Sequence, residues 1–176
     1  MSSDELLRLA KSVIQSIDPK CSFLSDETLE LLNSLFPEKL IIAALDLIDR
    51  KNVIHYVTSW GHTEYEVIAS TDTSENTIGT STSSYSVLLD IQASPMQYSC
   101  SCLAFLHSVL RLETHLMCKH ILAALIARQM NLTIERPTNP DELAVLFMRQ
   151  FPILKGEDIS DSNASQSHNL DEAQNL

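Results

Sequence analysis

The chain has 176 residues, 44% of them hydrophobic and 20% charged, and 23 acidic against 12 basic side chains leave a formal net charge of −11. That composition suits one domain of about 150 residues with a core large enough to fold, and its acidic average field works against holding free nucleic acid by phosphate neutralisation. Lysine and arginine nowhere form a run of three, only three glycines occur, and the longest apolar runs, Leu40 to Leu45 and Ile121 to Ala127, are too short to span a bilayer.

In chain order, the first third reads as helical. Ser2 with Glu5 offers a capping box, and Leu6, Ala10, Val13, Ile14 and Ile17 recur on one face until Pro19 ends the pattern. Asp4 and Glu5 stand where a secretory leader would carry basic residues, so a reducing compartment is expected, in which cysteines serve metals rather than disulfides. Cys21 stands apart and reads as a small buried apolar residue. Ser25, Asp26 and Glu27 open a second helix carrying Leu29, Leu32 and Leu35 up to Pro37. A third runs from Glu38 through Leu40, Ile41, Ala44, Leu45 and Ile48 to about Asp49.

The period then changes. Val53 to Trp60 and Glu64 to Ala69 are rich in β-branched and aromatic residues, with Gly61-His62 as a turn, which predicts an antiparallel hairpin. Ser70 to Ser84, dominated by Ser and Thr, is expected to form a long loop. Tyr85 to Ile91 and Met96 to Ser101 resume as strands on either side of Pro95, so the sheet leads into Cys100 and Cys102.

The chemistry concentrates there. Cys100, Cys102, Cys118 and His120 form the pattern C-x-C, fifteen residues, C-x-H. Residues two apart in an extended chain point to the same side, so Cys100 and Cys102 can share an ion. Cys118 and His120 open an amphipathic helix through Ile121, Leu122, Ala124, Leu125 and Met130, whose positive end favours the Cys118 thiolate. Leu103 to Leu112 is apolar enough for a short helix between the pairs. Four such donors close the tetrahedral shell of structural Zn2+, whereas catalytic zinc keeps three protein ligands and a water. The competing reading of the same residues is buried free thiols with an incidental histidine. His107 and His115 lie between the pairs and are alternatives to His120, although each reads more simply as a loop histidine. Cys118 as a nucleophile with His120 as its base is explained better by ligation, and the zinc-deaminase signature is absent. No catalytic residue and no organic cofactor is assigned.

Beyond this module, Asn139-Pro140-Asp141-Glu142 opens a last helix, with Asn139 as cap and Leu143, Leu146, Phe147 and Phe151 as its apolar residues. That helix either folds back on the core or joins the helix after His120 as a surface for a partner. The expected organisation is α+β: N-terminal helices over residues 1–50, then a small antiparallel sheet and zinc-binding strand-loop-helix module over 51–131, with the ligands within 100–120. A C-terminal helix over 132–155 and a disordered acidic tail over 156–176 complete it.

C-x-C followed by C-x-H resembles the SWIM-type zinc finger. More narrowly, Ala44-Leu45-Asp46-Leu47-Ile48-Asp49-Arg50, Tyr98-Ser99-Cys100-Ser101-Cys102, Phe105 with Ser108-Val109-Leu110-Arg111, and Cys118-Lys119-His120-Ile121-Leu122-Ala123 are similar to the SWIM-domain subunit of the Shu complex. The similarity runs over about Leu40 to Met130. It implies Zn2+ held by Cys100, Cys102, Cys118 and His120, with Ala123 supporting the helix behind the site. It also implies a nuclear, non-enzymatic adaptor in homologous recombination and DNA repair. Such an adaptor pairs with a RecA-like recombinase paralogue, helps the recombinase assemble or persist on single-stranded DNA, and opposes an antirecombinase helicase. DNA contact would then be indirect, and no membrane is involved. The chain departs from the family pattern at Leu103, where a proline often follows the second cysteine, in its Ser/Thr-rich loop and in its acidic tail; none of these removes a ligand. The alternative is a nucleic-acid finger in which Arg111, Lys119 and Arg128 contact single-stranded DNA directly.

Overall fold

The computed structural model describes residues 2–71, 81–92 and 96–150. It is an α+β fold in which three N-terminal helices, α1 (Ser3–Gln15), α2 (Asp26–Asn33) and α3 (Glu38–Asp49), precede the strands β1 (Val53–Thr58), β2 (Thr63–Thr71), β3 (Ser81–Leu88) and β4 (Ser99–Cys100). A wide-turned π-helix (Phe105–Arg111), the helix α4 (Lys119–Gln129), a fifth strand β5 (Ile134–Thr138) and the helix α5 (Pro140–Gln150) follow. The capping box forms as expected: the Glu5 backbone N–H donates to Ser2 Oγ at 3.3 Å and the Ser2 N–H to Glu5 Oε2 at 2.7 Å. A matching box starts α5, where the Glu142 N–H donates to Asn139 Oδ1 at 2.9 Å and the Asn139 N–H to Glu142 Oε2 at 3.3 Å.

The sheet runs in the order β4-β3-β2-β1-β5, antiparallel except for the β1–β5 pair, which is parallel. Two features of it depart from the sequence reading. β5 was not anticipated: its residues are almost all exposed and include Pro137, so no apolar alternation marks them. β2 and β3 also extend into the stretch expected to be a loop, pairing Ala69 with Ser83, Ser70 with Thr82 and Thr71 with Ser81. A hairpin can outrun its core with Ser and Thr because the backbone ladder does not require burial and β-branched Thr suits it. The centre of that expected loop, 72–80, lies outside the described residues, as do Phe151 and the expected tail. Gly61 turns β1 into β2 at φ +85°, a conformation that favours glycine.

Register decides which side chains meet the helices. Val53 opposes Val67, Val67 opposes Tyr85, and Val87 opposes Cys100, so all five lie on one face of the sheet. That face is covered by α3 and α4, with α1 packed against α4, and holds the main core. α4 occupies its centre. The sequence suggested an amphipathic helix and a possible partner surface, but every residue from His120 to Ala127 is buried. Ala123, Ala124 and Ala127 have no exposed surface, and their small side chains let α3 and the sheet approach α4 from opposite sides. Cys21, expected to be buried, is exposed. It lies between α1 and α2, in a segment without regular structure.

The opposite face is thinner and more polar. Leu143 and Leu146 of α5 fold back onto Ile54, Tyr56 and Ile68. Beside them lie two buried carboxylates: Glu66 accepts from Tyr56 Oη at 2.7 Å, and Glu64 accepts from Ser86 Oγ. Burial pushes the Glu64 carboxyl up from its ordinary 4.5, partly offset by Ser86 and by His62. An acid whose folded pKa is raised favours folding most below the unfolded value. That contribution is lost as pH rises through the folded value.

Two outcomes are expected of the purified chain. Ile126→Ala, which empties a site with no exposed surface, should cost about 2–5 kcal/mol in denaturant unfolding; a cost within about 0.5 kcal/mol would show that α4 is not packed as described. Glu64→Gln keeps the acceptor for Ser86 and removes the charge. Its melting temperature should exceed that of the parent at pH 7 and match it near pH 4. A lower value at pH 7 would mean that the ionised carboxylate is a stabilising group.

Candidate zinc centre

Three segments build the site. β4 ends at Cys100, which faces the helices because it pairs with Val87, and Cys102 follows two residues beyond the strand end. Cys118 sits at the N-cap of α4 and His120 in its first turn. The Sγ atoms of Cys100, Cys102 and Cys118 and a ring nitrogen of His120 lie within 4.8 Å of one another, and all four residues are buried. His120 Nδ1 faces the thiols, 3.8 Å from Cys100 Sγ. With Zn–S near 2.3 Å and Zn–N near 2.0–2.1 Å, the ligand–ligand edges of a tetrahedral site are about 3.4–3.8 Å. Nδ1 and Cys100 Sγ stand at that spacing. His107 is exposed and His115 bonds its neighbour Thr114 instead, Nδ1 to Oγ1 at 3.0 Å, so neither joins the group.

The electrostatics call for a cation. Taken as protein groups alone, the three thiols hydrogen-bond one another and resist ionising together. Hydrogen bonds from the Cys100 and Cys118 thiols hold Cys102 well below the ordinary thiol range against the cost of burial, helped by His120 and by the Phe105 N–H at 3.3 Å. Cys100 is pushed far up by its hydrogen bonds with Cys102 and Cys118 and by burial. Cys118 is pulled down by Cys100, but Cys102 and burial outweigh this and push it up to about 12. Three buried thiolates therefore cannot coexist without a compensating ion. A divalent metal with a preference for sulfur and imidazole supplies that charge, and Zn2+ fits both the donor set and the closed tetrahedral spacing.

Supporting residues complete the site. The Tyr85 ring stacks on His120 with centroids 4.3 Å apart and planes inclined by 22°, fixing the imidazole from the sheet side. The sequence reading missed this residue; its only signal was its place at the expected start of a strand. The backbone N–H of Ile121 bonds the Cys118 thiol, as the helix start was expected to favour. Ala123 lies directly behind, with no exposed surface.

Fold and donor set together define a SWIM-type zinc finger carried on an α+β scaffold, and the sequence signature of the SWIM zinc finger family matches residues 85–129. Across a longer stretch the chain is 30% identical over 131 residues to zinc finger SWIM domain-containing protein 7 of Mus musculus, covering 74% of this chain and 75% of that protein. The Homo sapiens protein of the same name is 26% identical over 147 residues, covering 84% and 90%. No solved structure matches the sequence significantly. The chain belongs to the family of zinc finger SWIM domain-containing protein 7.

Zinc bound here is folding energy, because the donors come from segments far apart in sequence and structural zinc contributes about 10–16 kcal/mol of apparent binding. The purified protein should carry one zinc per chain, and a strong chelator at neutral pH should strip it with loss of tertiary structure by near-ultraviolet circular dichroism. Since the ligands must shed protons to bind, zinc should also leave as pH falls. Cys118→Ser should weaken zinc by more than about 100-fold. A chelated chain that keeps its native spectrum would show that the metal is not structural.

Proposed function

We propose that this protein is a non-enzymatic, zinc-built adaptor of the Shu type, in which Zn2+ is held by Cys100, Cys102, Cys118 and His120. It pairs with a RecA-like recombinase paralogue and promotes assembly or stability of recombinase filaments during homologous recombination and DNA repair in the nucleus. An antirecombinase helicase is the activity it opposes. The observation that carries this reading is the closed site: four buried donors within 4.8 Å saturate the ion and leave no position for a catalytic water. Recognition then belongs to surfaces that the zinc holds in place. Beside the edge strand β4, Leu103, Leu106 and Leu110 are 77%, 59% and 48% exposed and line a depression of about 340 Å3. Exposed leucines on an edge support a protein partner. The family resemblance supplies the kind of partner.

Direct nucleic-acid binding is less well supported. Of the three basic residues considered for it, Arg128 is committed to Asp90 at 2.6 Å, and the chain as a whole carries −11.

Affinity purification of the tagged chain from nuclear extract should recover a RecA-like paralogue in stoichiometric amount. Cys100→Ser, once shown to have lost its metal, should lose that partner. Recovery of the paralogue by the zinc-free variant would contradict the zinc dependence. The isolated chain should show no salt-dependent binding to single-stranded oligonucleotides, and a steep salt slope would support the nucleic-acid reading in its place.

A further inference from the structure

The depression beside β4 opens on the side of the sheet that α5 covers. Ser99 and Ser101 line it together with Leu103, Leu106 and Leu110. The two serines alternate with Cys100, whose side chain faces the helices, so they point to the opposite face. Ser101 sits beside Ser86, whose N–H donates to Ser101 Oγ at 3.0 Å and whose hydroxyl reaches the buried Glu64 of that face.

α5 heads toward this place. It starts two residues after the end of β5, at one margin of the sheet, and its backbone comes close to β3, three strands away and next to β4. Three strand spacings make about 14 Å and the 11 residues of α5 span about 16 Å, so it is the far end of the helix that lies over β3. The chain therefore leaves α5 about one strand spacing, roughly 5 Å, short of β4. What leaves is apolar: Phe151-Pro152-Ile153-Leu154 precede Lys155-Gly156 and a stretch rich in Ser, Asn, Asp and Glu. A proline does not continue a helix, and it biases the residue before it to extended backbone. Four extended residues reach about 13 Å, more than the distance from β3 to the outer side of β4.

The edge suits an extended occupant. The Ser101 N–H donates to the Ser86 carbonyl on β3 at 3.1 Å. Backbone groups of successive residues alternate in direction along an antiparallel ladder, so the N–H and C=O of Cys100 point away from β3, toward the depression that Cys100 also lines. No charged side chain lines that depression, which matches residues 151–154 and not the acidic stretch after Gly156. A second copy is the weaker occupant, because each chain carries −11 and two such chains repel.

We propose that residues 151–154 of this chain lie across the open edge of β4, paired with the Cys100 backbone, with Phe151 and Ile153 seated on Leu103, Leu106 and Leu110. The segment is then a built-in cover for the exposed leucines, and a protein that docks on them must displace it. The cover itself does not depend on the adaptor reading.

The test uses the full zinc-loaded chain with labelled isoleucine and leucine methyl groups. Nuclear Overhauser spectra should connect the Ile153 methyls with those of Leu106 and Leu110. Ile153→Asp and, from the other side of the contact, Leu106→Ser, each checked for full zinc content, should lose the remaining cross-peaks of the segment and speed hydrogen exchange of the Cys100 amide at least about tenfold. Absence of the cross-peaks in the parent, or equal Cys100 exchange in the parent and both variants, would overturn the proposal. So would cross-peaks that arise only between labelled and unlabelled chains in a mixed sample, since the occupant would then be a second copy. If the cross-peaks are absent and the parent still recovers a RecA-like paralogue, the cover falls and the adaptor reading stands. If they are present and no paralogue is recovered by the parent or by Ile153→Asp, the adaptor reading falls and the cover stands.

Discussion

The rest of the structure depends on the meeting of a strand end and a helix start around four buried donors. Cys100 and Cys102 terminate the edge of the sheet, and Cys118 and His120 begin the helix that fills the core. Three sulfurs and an imidazole packed within 4.8 Å repel one another when ionised, and burial denies them water. A divalent ion reverses the sign of that interaction. The same contact that is costly among thiols alone becomes the tie that orients α4, and α4 in turn touches α1, α3 and strands β1 to β4.

Much of this was legible in the sequence because the signals are local. Ser2 with Glu5 and Asn139 with Glu142 announce helix starts through side chains that must bond nearby amides, and both boxes form. The C-x-C and C-x-H pairs were legible because ligand spacing is set by strand and helix geometry over a few residues. What escaped depends on distant neighbours. α4 reads as amphipathic from its own residues, yet it is buried all round because α3 covers one side and the sheet the other. β5 has no hydrophobic alternation since its pairing with β1 is made by the backbone at the sheet margin. Tyr85 supports His120 only because register places it opposite Val67 on the helical face.

The two faces of the sheet divide the labour. The helical face carries the zinc-tied core, and the face under α5 holds a small apolar cluster beside the buried Glu64 and Glu66. Two surface features border the metal: the exposed leucines beside β4 and a cleft between the starts of α3 and α4. In this arrangement four protein donors close the shell of the ion. It fixes the angle between the sheet edge and α4, and the elements packed against α4 follow.

The central claim, a closed structural site with three sulfurs and one imidazole, is tested most directly by X-ray absorption at the zinc edge of the purified protein. The account predicts a first shell of three sulfurs near 2.3 Å and one nitrogen near 2.0–2.1 Å, with imidazole scattering beyond. A first shell with fewer sulfurs, or with a water oxygen in the fourth position, would contradict it.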